Sequence, residues 1–214
     1  MRNNPFSSLA FLLLLLFAAL LSTGLSLACS GSPVETIEVK DEQGRTERYQ
    51  RRKKDFAKEG LYQKLADGKV LKEAHYVNDT LEGECKYFRP TGTVESVERY
   101  THGVLNGKYE SYYENGQLQV EQTYVNGALQ GPSIGYYPNG QVKEKVMLQN
   151  NEENGPFTEY YETGVLKTEG QYSPGEELPL EQGELKEYDE QGQLIRVANC
   201  TDGVCLTKWK KETK

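Results

Sequence analysis

Gly131-Pro132-Ser133-Ile134-Gly135 has the spacing of a nucleophile elbow, in which a serine on a strand-to-helix turn attacks a carbonyl. In hydrolases of that kind a later histidine takes the serine proton, but His75 and His102 both precede Ser133. Two histidines this far apart also fall short of a zinc set, which needs four convergent N or S ligands. Asn150-Asn151-Glu152-Glu153-Asn154 is acidic, yet it lacks the alternating ligand spacing of a calcium loop and reads as a turn. No glycine-rich phosphate loop leads into a helix. The chain is therefore expected to have no catalytic residue, no metal and no cofactor.

The cysteines divide by position. Cys29 follows Leu9 to Leu21, an apolar run preceded by Arg2 and followed by small residues, the pattern of an export signal. Its place directly after that segment resembles a bacterial lipoprotein signal, with Cys29 acylated, although Ser26 stands where leucine is usual. Ordinary cleavage after Ser26-x-Ala28 is the alternative, and would leave the protein secreted or periplasmic. Two or more acyl chains anchor a protein stably, at about 0.8 kcal/mol per buried CH₂. Ser30 after the cysteine suits an outer-membrane lipoprotein of the cell envelope. Cys200 and Cys205 flank Thr201-Asp202-Gly203-Val204, so an exported chain can join them across a hairpin. Cys85 is left as a small apolar residue of the sheet.

Removing residues 1–28 takes away Arg2 and no acid, which moves the formal net charge from −7 to −8. Such a chain is poorly suited to nucleic acid, whose phosphates call for clustered Lys and Arg. With 15 tyrosines against 6 phenylalanines and 1 tryptophan, its large residue is one that serves half-exposed sheets.

The elements that would carry these residues follow from an internal repeat. Gly68, Gly92, Gly116, Gly140, Gly164 and Gly192 recur at intervals of 24, 24, 24, 24 and 28. A second glycine opens each unit: Gly60, Gly83, Gly107, Gly131, Gly155 and Gly183. Four positions before the turn glycine stand Lys64, Phe88, Tyr112, Tyr136, Tyr160 and Tyr188; two after it stand Val70, Val94, Leu118, Val142, Leu166 and Leu194. Eight after it come Tyr76, Tyr100, Tyr124, Leu148, Tyr172 and Cys200. Asn115-Gly116 and Asn126-Gly127 are turn signals bounding strand-length segments. The expected fold is all-β: an extended single-layer antiparallel meander of about six 24-residue β-hairpin repeats. Adjacent Tyr112 and Tyr113 predict a ladder of rings on each face.

The expected organisation is a signal peptide over 1–28, a tether over 29–37 and a degenerate capping repeat over 38–59, with Asp41 to Gly44 as its worn turn. The array spans 60–205, and a basic tail follows over 206–214. Four extra residues near Pro174 and Pro179 account for the interval of 28.

Gly107, Tyr109, Tyr112, Tyr113, Asn115, Gly116, Leu118, Tyr124, Asn126 and Gly127 form a pattern that resembles the MORN-repeat variant of YwqK-type antitoxin-like proteins. Tyr136-Tyr137-Pro138-Asn139-Gly140 and Tyr160-Tyr161-Glu162-Thr163-Gly164 repeat it. The resemblance implies a hairpin array used for interaction, with no catalytic residue to carry over. The expected function is non-enzymatic: an envelope-anchored lipoprotein binding another protein through Tyr112, Tyr113, Tyr136, Tyr137, Tyr160 and Tyr161. The partner's identity is open. Neutralisation of a toxin and binding of a glycan or lipid are the alternatives.

Overall fold

The computed structural model describes residues 33–175 and 178–212. All regular structure among them is β, in chain order β1 (Val34–Lys40), β2 (Thr46–Arg52), β3 (Lys58–Ala66), β4 (Lys69–Val77), β5 (Thr80–Leu81), β6 (Gly83–Phe88), β7 (Val94–Thr101), β8 (Val104–Leu105) and β9 (Gly107–Tyr112). There follow β10 (Leu118–Val125), β11 (Ala128–Tyr136), β12 (Val142–Gln149), β13 (Glu152–Tyr160), β14 (Leu166–Ser173), β15 (Leu180–Glu181), β16 (Gly183–Tyr188), β17 (Leu194–Thr201) and β18 (Val204–Lys210). Successive strands pair antiparallel into one open sheet of 18 strands. The short β5, β8 and β15 are the first halves of interrupted strands, since each shares its partner with the strand that follows. Substantial contacts join only neighbours in this sheet, so it is a single layer.

Two kinds of turn alternate. Within a unit, the Tyr113 N–H donates to the Gln117 carbonyl at 2.8 Å and the Gly116 N–H to the Tyr113 carbonyl at 3.0 Å. Gly116 sits at φ +84°, a left-handed conformation that side chains resist, and nothing crowds it. The same bonds close the turns at 41–45, 89–93, 137–141, 161–165 and 189–193, so Asp41 to Gly44 is built as a repeat turn. Between units, two successive residues have positive φ, as at Asn126 and Gly127 or Asn150 and Asn151, which matches the right-handed strand twist.

The aligned slots are cross-strand partners. Each opening glycine faces the residue eight after the turn glycine: Gly60 with Tyr76, Gly83 with Tyr100, Gly107 with Tyr124, Gly131 with Leu148, Gly155 with Tyr172, Gly183 with Cys200. The aromatic slot pairs with the aliphatic slot, as Tyr112 with Leu118 and Tyr136 with Val142. Unit one departs. Its Asp67-Gly68 turn has two residues, so the partner of Val70 is Leu65, which is buried, and not Lys64.

Every unit also holds bulges that the sequence pattern does not announce. Leu71, Glu95, Gln119, Lys143, Lys167 and Ile195 are each an unmatched residue on the second strand of a hairpin. Such insertions sharpen the twist and let a large side chain on one strand lean over its neighbour.

Register and alternation assign the faces. One, the front, carries Tyr49, Tyr62, Ala74, Cys85, Tyr109, Val146, Phe157, Leu185 and Ala198 along its midline. Its core comes in two clusters. Tyr62, Ala74 and Cys85 lie beneath Tyr49, Tyr76, Leu81, Tyr87 and Tyr100; Phe157, Leu185, Ala198 and Cys200 pack with Val146, Tyr172 and Cys205. Polar Gln122 and Ser133, hydrogen-bonded to each other at 3.0 Å, stand between the two.

The sheet reaches beyond the expected array at both ends. It begins at Val34, inside the stretch read as tether, and β18 pairs residues up to Lys210 with β17, inside the stretch read as tail. Lys208 and Lys210 flank exposed Trp209 there, and Leu206 is exposed as well, a pattern with no core face for sequence reading to detect. The proposed signal peptide and Cys29 lie outside the described residues.

Candidate binding surface

The six tyrosines singled out by sequence do not form two ladders. Tyr112, Tyr136 and Tyr160 end strands β9, β11 and β13 and share the back face, half-buried against Leu118, Val142 and Leu166. Tyr113, Tyr137 and Tyr161 lie one residue past the strands, in the turns, so strand alternation does not govern them. Their rings reach along the array to the next unit. The hydroxyl of Tyr113 donates to the Tyr136 carbonyl at 2.7 Å, that of Tyr137 to the Tyr160 carbonyl at 2.8 Å, and that of Tyr161 to the Tyr188 carbonyl at 2.9 Å. In the preceding unit Arg89 holds the same slot and donates Nη2 to the Tyr112 carbonyl. One tyrosine of each pair thus pins the backbone of the other in the next repeat. Asn115 and Asn139 add parallel bonds of 3.0 Å to the Pro138 and Glu162 carbonyls.

Ring–ring contacts among the described residues join Tyr62 to Tyr76, Tyr109 to Tyr124 and Phe157 to Tyr172, all on the front. None includes the six predicted tyrosines, so the expected ring ladder on the back is replaced by tyrosine–aliphatic pairs. Burial raises the phenols of Tyr112 and Tyr136 above their ordinary value.

A charged network covers the back of β6, β7, β9 and β10. Arg99 bridges Glu84 and Glu110, both at 3.0 Å, and Lys108 bridges Glu110 at 3.1 Å and Glu121 at 2.8 Å. Burial works against the Glu110 carboxylate, but hydrogen bonds from Arg99 and Lys108 outweigh it and hold its pKa below the usual range. Glu84, Arg99 and Glu110 of this network line a shallow hollow together with Val94, Val97 and Tyr112. Tyr and Arg are favoured at protein contacts whereas Lys and Glu are depleted there, so the tyrosines and Arg99 are the contact-type residues of this surface.

The other edge of the array is stitched by residues that the sequence reading passed over. The residue before the opening glycine accepts the first turn N–H of the next unit: Glu59 from Asn78, Glu82 from His102, Asn106 from Asn126 and Gln182 from Asp202. Gln130 reverses the polarity and donates to the Asn150 side chain. A signal was present, because Glu59, Glu82, Asn106, Gln130, Asn154 and Gln182 all carry a side-chain carbonyl oxygen.

The remaining candidates fall into place. Cys200 and Cys205 are joined by a disulfide across β17 and β18, with Cys200 in the front core. Cys85 is a free thiol, 0% exposed, and burial pushes its pKa up, the opposite of what a nucleophile needs. Ser133 bonds Gln122 and has no histidine partner. His75 is exposed and His102 sits in a turn. No three His, Cys, Asp or Glu residues converge on a metal position among the described residues.

A family model, the MORN repeat variant, matches residues 105–126, 129–150, 153–173 and 181–199. The chain therefore carries MORN-variant repeats at four positions, in the stretch where the tyrosine pairs and their stitching bonds are found. The units before residue 105, where Lys64-Leu65 and Phe88-Arg89 replace the tyrosine pair, fall outside the match. No curated protein matches the chain.

Proposed function

We propose that the protein is a non-enzymatic repeat scaffold, exported and held at the cell envelope by acylated Cys29, that binds a protein partner through its back face. Tyr112, Tyr136 and Tyr160 supply the contact row, and the Arg99–Glu110–Lys108 network supplies orientation at one end of it. One observation carries this reading. The hydroxyls of Tyr113 and Tyr137 fix the carbonyls of Tyr136 and Tyr160, and Arg89 fixes that of Tyr112, so the row is held in place before any partner arrives. A pre-ordered surface spends less of its binding energy on immobilising side chains and backbone.

Changing Tyr112, Tyr136 and Tyr160 together to Ser should abolish recovery of a partner from solubilised membranes while leaving the β-sheet circular dichroism intact. Undiminished recovery by the folded variant would remove the back face from consideration. Mass spectrometry of the mature N-terminus should find acylated Cys29; an unmodified terminus would remove the anchor.

A further inference from the structure

The Lys58 ammonium lies over three tyrosine rings on the front face, 5.0 Å from the centroid of Tyr49, 5.3 Å from Tyr62 and 5.4 Å from Tyr76. The sheet builds this arrangement directly. Tyr49 is the register partner of Tyr62, and Tyr76 meets the Tyr62 ring edge-on at 5.6 Å. Opening glycine Gly60 is the partner of Tyr76, and the bulge around it places Lys58 opposite Arg51, over the ring group. Tyr62 is buried at the floor, while Tyr49, Tyr76 and Lys58 are half-buried at the rim.

Ring faces are what the ammonium meets. Nζ of Lys58 has neither an ion pair nor a hydrogen bond among the described residues, and on the same face Lys72 Nζ lies 5.0 Å from the Tyr87 ring centroid. Its backbone is engaged by Asp79, whose side chain accepts from the Lys58 N–H at 2.7 Å and whose N–H donates to the Lys58 carbonyl at 3.0 Å. A primary ammonium has three N–H donors that ring faces satisfy poorly, whereas a quaternary ammonium has none and spreads its charge over methyl groups that fit such faces. The cage is better matched to a methylated cation than to the lysine inside it. Glu47, the register partner of Lys64, lies beside the Tyr62 phenol.

We propose that Tyr49, Tyr62 and Tyr76 form a binding site for a quaternary ammonium group, with Lys58 as a built-in occupant that the ligand displaces. The site lies on the opposite face from the tyrosine row and stands independently of the function proposed above. Its ligand class is a trimethylammonium compound, either free in solution or as a lipid headgroup.

The test titrates choline into the full-length mature protein and into Lys58→Ala, by calorimetry and by the NMR signals of the tyrosine rings. An occluding side chain lowers apparent affinity by the fraction of time it occupies the site. Lys58→Ala should therefore bind choline about tenfold more tightly than the wild type, and Tyr49→Leu or Tyr76→Leu should lose binding. The neutral isostere 3,3-dimethyl-1-butanol should not bind, since it lacks the charge. In the wild type, choline should speed acylation of Lys58 by a small amine-reactive reagent, a readout that stands even if the alanine variant folds poorly. Vesicles of phosphatidylcholine, compared with phosphatidylglycerol alone, separate a lipid headgroup from a free ligand: retention on the former points to the headgroup, and choline binding without retention points to a soluble compound. Failure of choline to bind folded Lys58→Ala, or to change Lys58 acylation, overturns the proposal. Equal binding of the neutral isostere overturns it as well.

Discussion

Tyr137 shows how a single hydroxyl does work that a ring alone cannot. Its ring reaches along the array, and its O–H donates to the Tyr160 carbonyl of the following unit at 2.8 Å, a bond between positions 23 residues apart. Replacing it with Phe keeps the ring and deletes only that bond. Tyr137→Phe should cost about 1 kcal/mol of stability in urea titration, with the slope unchanged because no surface is newly exposed on unfolding. A loss indistinguishable from zero would mean that the carbonyl is equally well served by water. The roles of the tyrosine pair were only half legible in sequence. Tyr112 and Tyr113 are neighbours, and strand alternation places them on opposite faces. The strand ends at Tyr112, however, and the turn bond from the Tyr113 N–H redirects the second ring along the array. Residue type identified the right position, but the assigned role needed the turn geometry.

Among the strands, the legible features were those where one side-chain chemistry recurs at one slot. The opening glycine and the tyrosine eight past the turn glycine stood out because each opening glycine takes a positive φ, +118° at Gly107, and is the register partner of that slot, as Gly107 is of Tyr124. The bulges stayed hidden because Leu71, Glu95, Gln119, Lys143, Lys167 and Ile195 share no chemistry; a bulge needs an extra residue, not a particular one. The charged network on β7, β9 and β10 was hidden for a related reason, since Arg99, Glu110, Lys108 and Glu121 come together through register. Its contribution depends on pH in a defined sense. The Glu110 pKa is lower in the fold than in the unfolded chain, where a glutamate titrates near about 4.3. Its stabilisation is complete above that unfolded value and disappears as pH falls through the lower folded one. With the Arg99 and Lys108 side chains 32% and 47% exposed, solvent screening limits the network to about 1 kcal/mol. Glu110→Gln should lose that amount at pH 7 and show no loss relative to wild type at pH 2. Parallel pH profiles for the two proteins would refute this assignment.

Across the whole molecule, stability should not be shared equally among the units, even though their turns and stitching bonds are nearly the same. The buried hydrophobic side chains fall into a stretch from Tyr62 to Val97 and another from Leu148 to Cys200, with none between. The intervening segment holds Ser133 on the front in the slot of Cys85 and Phe157, and Gln122 in the slot of Ala74 and Ala198. Repeat arrays gain stability from each unit and its neighbouring interfaces, and removing a whole unit preserves the register of the rest. Deleting 117–140 joins Gly116 to Gln141, recreates an Asn-Gly turn and sets Tyr109 beside Val146. That deletion should fold, with a urea slope reduced because less surface is exposed on unfolding. Its midpoint should stay near the wild-type value, because it takes away no buried apolar side chain and brings the two clusters together. Deleting 141–164 removes the same number of residues but includes Leu148 and Phe157, the latter stacked on Tyr172 at 4.2 Å. Burying such side chains is worth roughly 1.5–3 kcal/mol each, so this second deletion should lower the midpoint markedly. Equal midpoints for the two shortened proteins would show that backbone pairing and stitching bonds, and not the two front clusters, carry the array.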